Sequence, residues 1–142
     1  MAGYSGTPLA RKLGIREGAR VGLVKAPQGF EQTLDELPED VQLVRAARAV
    51  PAGRFDVLIA FFDRRAALEQ RFASLAKHLE EDGGLWIAWP KKASGVATDV
   101  DDGVVRATGL GCGLVDNKVC AIDATWSGLR FVVRLRDRRK KA

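Results

Sequence analysis

Histidine occurs once in this 142-residue chain, and cysteine only twice. Each scarcity excludes something. The lone His78 rules out a histidine-rich metal site, and neither a CxxC nor an HExxH spacing occurs, so no metal is expected. Ser94 and Ser127 have no histidine partner except His78, which the surrounding pattern puts on a helix surface, so a serine nucleophile has no support. Cys112, near a helix end, and Cys120, inside a strand, are too few for a disulfide framework and read as small buried hydrophobes. The longest apolar run, Val57 to Phe62, falls far short of the roughly 20 residues of a membrane helix, so no membrane partner is expected. The opening MAGYSGTPLARK has no apolar signal-peptide core, which makes the cytoplasm the expected compartment.

An apolar content of 46% in a chain of this length suits one globular domain with a true core. The net charge of +5 is unevenly spread. Residues 134–142, RLRDRRKKA, hold six basic groups and one acid, while the other 133 residues hold 17 of each sign. The expected organisation is therefore a domain over residues 1–133 followed by a basic tail over 134–142. That tail keeps the protein soluble or contacts nucleic acid through Arg134, Arg136, Arg138, Arg139, Lys140 and Lys141.

Along the chain, Thr7-Pro8 reads as the cap and first position of a short helix that Gly14 stops. Arg20 to Lys25 reads as a strand, Phe30 to Leu37 as a short helix, and Val41 to Arg45 as a second strand. FDVLIAFF, residues 55 to 62, is a continuous apolar run of strand formers, as a strand covered on both faces requires. Arg64 to Glu81 places Leu68, Phe72, Leu75 and Leu79 at helical spacing, with His78 solvated beside the stripe. Asp82-Gly83-Gly84 then turns the chain into the strand LWIAW. Thr98 reads as the cap of a helix running to about Gly111, with Asp99, Asp101 and Asp102 in its first turn. Asp116-Asn117-Lys118 reads as a turn, Lys118 to Asp123 as a strand, Trp126-Ser127-Gly128 as a turn, and Leu129 to Leu135 as a returning strand. This alternation predicts a three-layer, Rossmann-like α/β fold with a mostly parallel sheet.

In such sheets ligands bind outside the carboxyl ends of the strands. The loop WPKKASG leaves that edge, and the bend from Asp123 to Ser127 reaches it. The candidate site is therefore Lys91, Lys92, Ser94, Gly95, Thr125, Trp126 and Ser127, with Asp123 nearby. Two ammonium groups with hydroxyls and loop amides suit an anionic group, and Trp126 offers a ring for stacking.

The pattern of FDVLIAFF, EEDGGLWIAW, the final hairpin and REGARVGLV resembles a Rossmann-type methyltransferase from which one strand and one helix are missing. The resemblance implies a methyltransferase-like sheet of six strands in the order 2-1-3-4-6-5, with a reversed C-terminal strand. The cofactor loop departs from that family. VKAPQGF has Lys25 where the family has an acid and only one glycine, and Arg45 stands where an acid would hold a ribose hydroxyl. The phrases GYSGTPLARKLGI, WPKKASG, GLVDNKVCAID and TWSGLRFVV are similar to an uncharacterised bacterial family of small proteins grouped as a domain of unknown function. The resulting expectation is a non-catalytic, methyltransferase-like domain without a cofactor, binding a small anionic ligand or a protein partner at the WPKKASG edge. The alternatives are a reduced S-adenosylmethionine-dependent methyltransferase and a nucleic-acid-associated protein using its tail. A catalytic residue is not assigned.

Overall fold

A computed structural model describes residues 7–47, 50 and 52–138. Twelve residues of alternating burial requirement explain its centre: the strands β1 (Arg20–Val24) and β3 (Phe55–Phe61) are almost wholly apolar and lie side by side, buried on both faces. The remaining strands are β2 (Gln42–Ala46), β4 (Leu79–Pro90), β5 (Leu114–Ala121) and β6 (Trp126–Val133). They form one six-stranded sheet in the order β2-β1-β3-β4-β6-β5. The first four of these pair in parallel, and β6 runs against both β4 and β5. Strand order and the reversed strand match the sequence expectation.

Helices α1 (Leu9–Lys12) and α2 (Phe30–Leu34) lie on one face, where Ala10, Leu13, Phe30 and Leu34 pack on Val21, Leu23, Ile59 and Trp86. Helices α3 (Arg65–Lys77) and α4 (Asp102–Gly111) cover the other, where Leu68, Phe72, Leu75 and Val105 pack on Leu58, Leu85, Ile87 and Phe131. The result is a three-layer Rossmann-like sandwich. Trp86, fully buried, donates its ring N–H to the Leu13 carbonyl (2.9 Å), so the one polar atom of the central side chain is satisfied.

Several local expectations are corrected. Leu79 belongs to β4, paired with Phe55, and EEDGG lies within that strand across a register shift rather than forming a turn. Helical spacing continued past the point where pairing with Phe55 outcompeted another helical turn. His78 is not solvated freely: it ends α3, and its Nδ1 lies 2.7 Å from the Gly53 carbonyl oxygen. No side chain caps α1, so Thr7 is not its cap. Asp116-Asn117-Lys118 is strand with an irregular register, Asp116 being held by Arg106 at 3.1 Å. Trp126-Ser127-Gly128 opens β6 instead of turning. The bend is Asp123 to Thr125, because the Asp123 carboxylate accepts both the Thr125 and Trp126 amides at 2.8 Å. Cys112 is exposed at the end of α4, not buried, while Cys120 is half-buried.

Candidate functional site

Five parallel strands direct their carboxyl ends to one edge, and the connections leaving it carry the polar residues. At the β4 end, the Lys91 amide donates to the Thr125 carbonyl (2.8 Å), which joins the WPKKASG loop to the β5–β6 bend. Lys92–Ser94 then makes a single tight helical turn, closed by the Ser94 hydroxyl on the Lys91 carbonyl (2.6 Å) and ended by Gly95 at φ 77°. The Val96 amide donates back to the Ser94 hydroxyl at 3.2 Å. Ser94 and Gly95 thus shape the loop, and Asp123 shapes the bend.

A cleft of about 440 Å³ opens beside this loop, lined by Trp89, Lys91, Lys92, Asp99, Asp101 and Ser127 among others. Its floor is the α3/α4 side of the sheet, to which Trp89 and Val100 belong. Trp126 packs on the opposite side, edge-on to Phe61 at 5.0 Å, and Phe61 meets Phe30 at 4.9 Å. Successive residues of a strand face opposite ways, so Trp126 and Ser127 serve different faces. Of the expected residues, Lys91, Lys92 and Ser127 line the cleft; Ser94, Gly95, Asp123, Thr125 and Trp126 do not.

The aspartates of the cleft were read as one helix cap, and the structure divides their work. Asp101 caps α4, accepting the Val104 amide at 2.8 Å. Asp99 accepts the Arg65 amide (2.7 Å) at the start of α3, and the Thr98 hydroxyl donates to the Asp63 carbonyl (2.6 Å). Thr98 is therefore not the α4 cap. It and Asp99 tie the loop after β4 to the loop after β3, bringing the cleft up to Asp63.

At the ends of β1 and β2 the turn Lys25-Ala26-Pro27-Gln28-Gly29 leads into α2. Lys25 (φ 57°) and Gly29 (φ 80°) both adopt the left-handed conformation; only the latter does so without a side-chain penalty. The Lys25 ammonium stands 5.4 Å from the centroid of the buried Phe62 ring. Arg45 donates to the Ala26 and Pro27 carbonyls, each at 2.7 Å, and to both oxygens of Glu31 at 2.8 and 3.0 Å. That hydrogen-bonded guanidinium lowers the Glu31 carboxyl from its ordinary 4.5 to about 2. Sequence reasoning registered Arg45 only as a missing acid and had no signal for its partner.

Burial pushes the Cys120 thiol above its usual range, against the pull of Lys12, Lys118 and Lys91, which is the reverse of what an activated nucleophile needs. Among the described residues no three His, Cys, Asp or Glu side chains gather as metal ligands, and no helix is long and apolar enough to cross a membrane. In the basic segment, Arg134 reaches the Gly113 carbonyl at 3.4 Å and Arg138 the Val133 carbonyl at 3.1 Å, while Arg136 lies 3.9 Å from Asp137. Arg139, Lys140 and Lys141 lie outside the described residues.

No family model and no curated protein matches the chain. Solved structures do. The chain is similar to a SAM-dependent methyltransferase from Aquifex aeolicus, with 14% identity, a TM-score of 0.62, and coverage of 87% of this chain and 86% of that one. A TehB-like SAM-dependent methyltransferase from Corynebacterium glutamicum gives 12% identity and a TM-score of 0.58, covering 94% and 91%. Magnesium protoporphyrin IX methyltransferase from Synechocystis, solved with bound SAH, gives 10% and 0.57, covering 89% and 78%. At these identities the likeness establishes a methyltransferase-like fold. It also corrects the expectation of a non-catalytic domain with no cofactor: proteins sharing this architecture over most of both chains are S-adenosylmethionine-dependent enzymes, one holding the cofactor product. The failed glycine pattern of VKAPQGF had weighed too heavily in that expectation, because a turn can be fixed by Arg45 as well as by glycine.

Proposed function

We propose that this protein is a reduced S-adenosylmethionine-dependent methyltransferase. The observation that carries the reading is the six-stranded order with its reversed β6, shared with solved enzymes of that activity across most of both chains. The cofactor side is the edge formed by the turn after β1 and by Phe62-Asp63 after β3. The chemistry of this edge suits an S-adenosyl group. The ligand carries an α-carboxylate, ribose hydroxyls, a sulfonium and a planar base. The edge offers the Lys25 ammonium, carboxylates of Glu31 and Asp63, and the left-handed turn into α2.

When bound, the group supplies a methyl carried on a positively charged sulfur. The chain's own work is then to position and to shield. Lys25 neutralises the carboxylate end of the cofactor. The 440 Å³ cleft holds the methyl acceptor, with Lys91 and Lys92 meeting an anionic group on it and Ser127 offering a hydroxyl. The capping roles of Asp99 and Asp101 leave their charge partly answered by helix amides, so they oppose such an anion less than free carboxylates would. Thr98 and Asp99 keep the acceptor cleft and the loop at Asp63 in fixed relation, the proximity that group transfer needs. The same reading takes the chain as a cytoplasmic protein of the uncharacterised bacterial family that its WPKKASG and TWSGLRF phrases resemble.

S-adenosylhomocysteine added to the full chain tests it. A ligand present at about 100 times its dissociation constant stabilises by about 2.7 kcal/mol, which a thermal melt resolves. Stabilisation by S-adenosylhomocysteine, unmatched by adenosine or homocysteine alone, is the expected result. An unchanged melt at millimolar ligand would sink the proposal.

A further inference from the structure

Arg45 sits on β2 in register with Leu23 of β1, one step before the strand ends. Instead of ending in an acid, β2 ends in a cation that fetches one: its guanidinium grips both oxygens of Glu31 from the first turn of α2. The same guanidinium holds the Ala26 and Pro27 carbonyls, so Glu31 and the turn after β1 form one rigid unit. A two-pronged arginine–carboxylate contact fixes distance and orientation together, which a single lysine contact does not. Each Glu31 oxygen accepts one hydrogen bond from Arg45 and keeps further acceptor capacity. Both side chains remain open to solvent, at 38% for Glu31 and 39% for Arg45.

We propose that Glu31, oriented by Arg45, accepts the ribose hydroxyls of the S-adenosyl group. The acid is thus carried on α2 and delivered to the end of β2, and this assignment rests on the methyltransferase reading above. Arg45 is a positioning residue. Its charge also offsets that of Glu31, so the pair selects a neutral hydrogen-bond donor over a cation. Vicinal hydroxyls, two donors a fixed distance apart, match a carboxylate whose two oxygens are held in place. A surface ion pair that served only the fold would need neither the second carboxylate contact nor the two carbonyl contacts that fix its location, since exposed pairs contribute little by themselves.

The experiment is a calorimetric titration of the full chain and of Glu31→Gln, each with S-adenosylhomocysteine and with its 2′-deoxyribose counterpart. Losing a hydrogen bond to a charged group costs roughly tenfold in affinity or more. The wild type should therefore prefer the hydroxylated ligand by about tenfold. In Glu31→Gln that preference should largely disappear, while the deoxy ligand binds both proteins nearly equally. Arg45→Lys should behave like Glu31→Gln, with thermal melts confirming that all three proteins are folded. Equal weakening of both ligands in Glu31→Gln would mean that the pair acts on the turn alone and would overturn the assignment while leaving the methyltransferase reading intact. Failure of the wild type to bind either ligand would overturn both.

Discussion

The Glu31 carboxyl, held near 2 by Arg45, makes a stability prediction that needs no ligand. A carboxyl whose acidity is raised by folding contributes stability above its unfolded value and loses it as pH falls through the folded one. For Glu31 that window runs from 4.5 down to about 2. The stability difference between wild type and Glu31→Gln, measured by urea titration, should stay constant above pH 5 or so and shrink steadily below 4.5. Solvent screening keeps the difference small, so the pH trend is the readout; a difference that grows on acidification would contradict the pairing. Nothing local in the sequence announces this contact. Glu31 and Arg45 are 14 residues apart across a turn and a strand boundary, and only the parallel pairing of β1 with β2 brings them together. Lys91 and Lys92 were legible for the opposite reason: they follow the carboxyl end of an apolar strand directly, so chain position alone assigns them to the edge.

Helix α4 shows what periodicity conveys and what it omits. Its existence was plain, but its start was displaced from Thr98 to Asp101, because three consecutive candidates compete for the cap and tertiary contacts decide among them. Thr98 and Asp99 are claimed by Asp63 and Arg65, leaving Asp101 for its own helix. The packing of α4 depends on Gly109, buried directly against the Phe131 ring, which on its other flank meets Phe72 of α3 edge-on at 5.2 Å. A methyl group at Gly109 would fall inside the van der Waals envelope of that ring. Two effects then oppose each other in Gly109→Ala. Alanine gains about 1 kcal/mol of helix propensity, while overpacking a close-packed interface costs about 1–3 kcal/mol and the ring, pinned by Phe72, has nowhere to move. Overpacking should win, so Gly109→Ala should lower the unfolding free energy by about 1–2 kcal/mol. An increase in stability would show that α4 can shift outward. The large-to-small substitution Phe131→Leu should restore part of the loss when combined with Gly109→Ala, as coupled neighbours do.

At the scale of the whole molecule, the sheet order was legible because β3 is apolar on both faces and so must be central, while the short β5–β6 link demanded a reversed strand. The division of the carboxyl edge between two faces was not. Trp126 and Ser127 were placed in one site, yet one packs on Phe61 under α2 and the other lines the cleft by α4. A one-residue difference in where β6 begins decides which side chain serves which face. The same sheet sets the distribution of stability. Val57 to Ala60 of β3 and Leu85 to Ala88 of β4 are buried almost completely and have hydrogen-bonded strands on both sides. At the two margins, β2 and β5 each have one open edge, and β5 carries the largely exposed Val119 (66%) and an irregular register at Asp116 to Lys118. Exchange from the centre requires the whole sheet to open, whereas β5 can detach from β6 alone. Amides of Val57–Ala60 and Leu85–Ala88 should therefore exchange at the rate set by global unfolding, and those of Lys118–Ala121 at least about tenfold faster. Addition of S-adenosylhomocysteine should slow the amides around the turn after β1 most, since that is where the cofactor is proposed to rest, and should leave β5 nearly unchanged. Protection that appears first on β5 would place the ligand in the wrong half of the sheet and require the cofactor and acceptor sides to be exchanged.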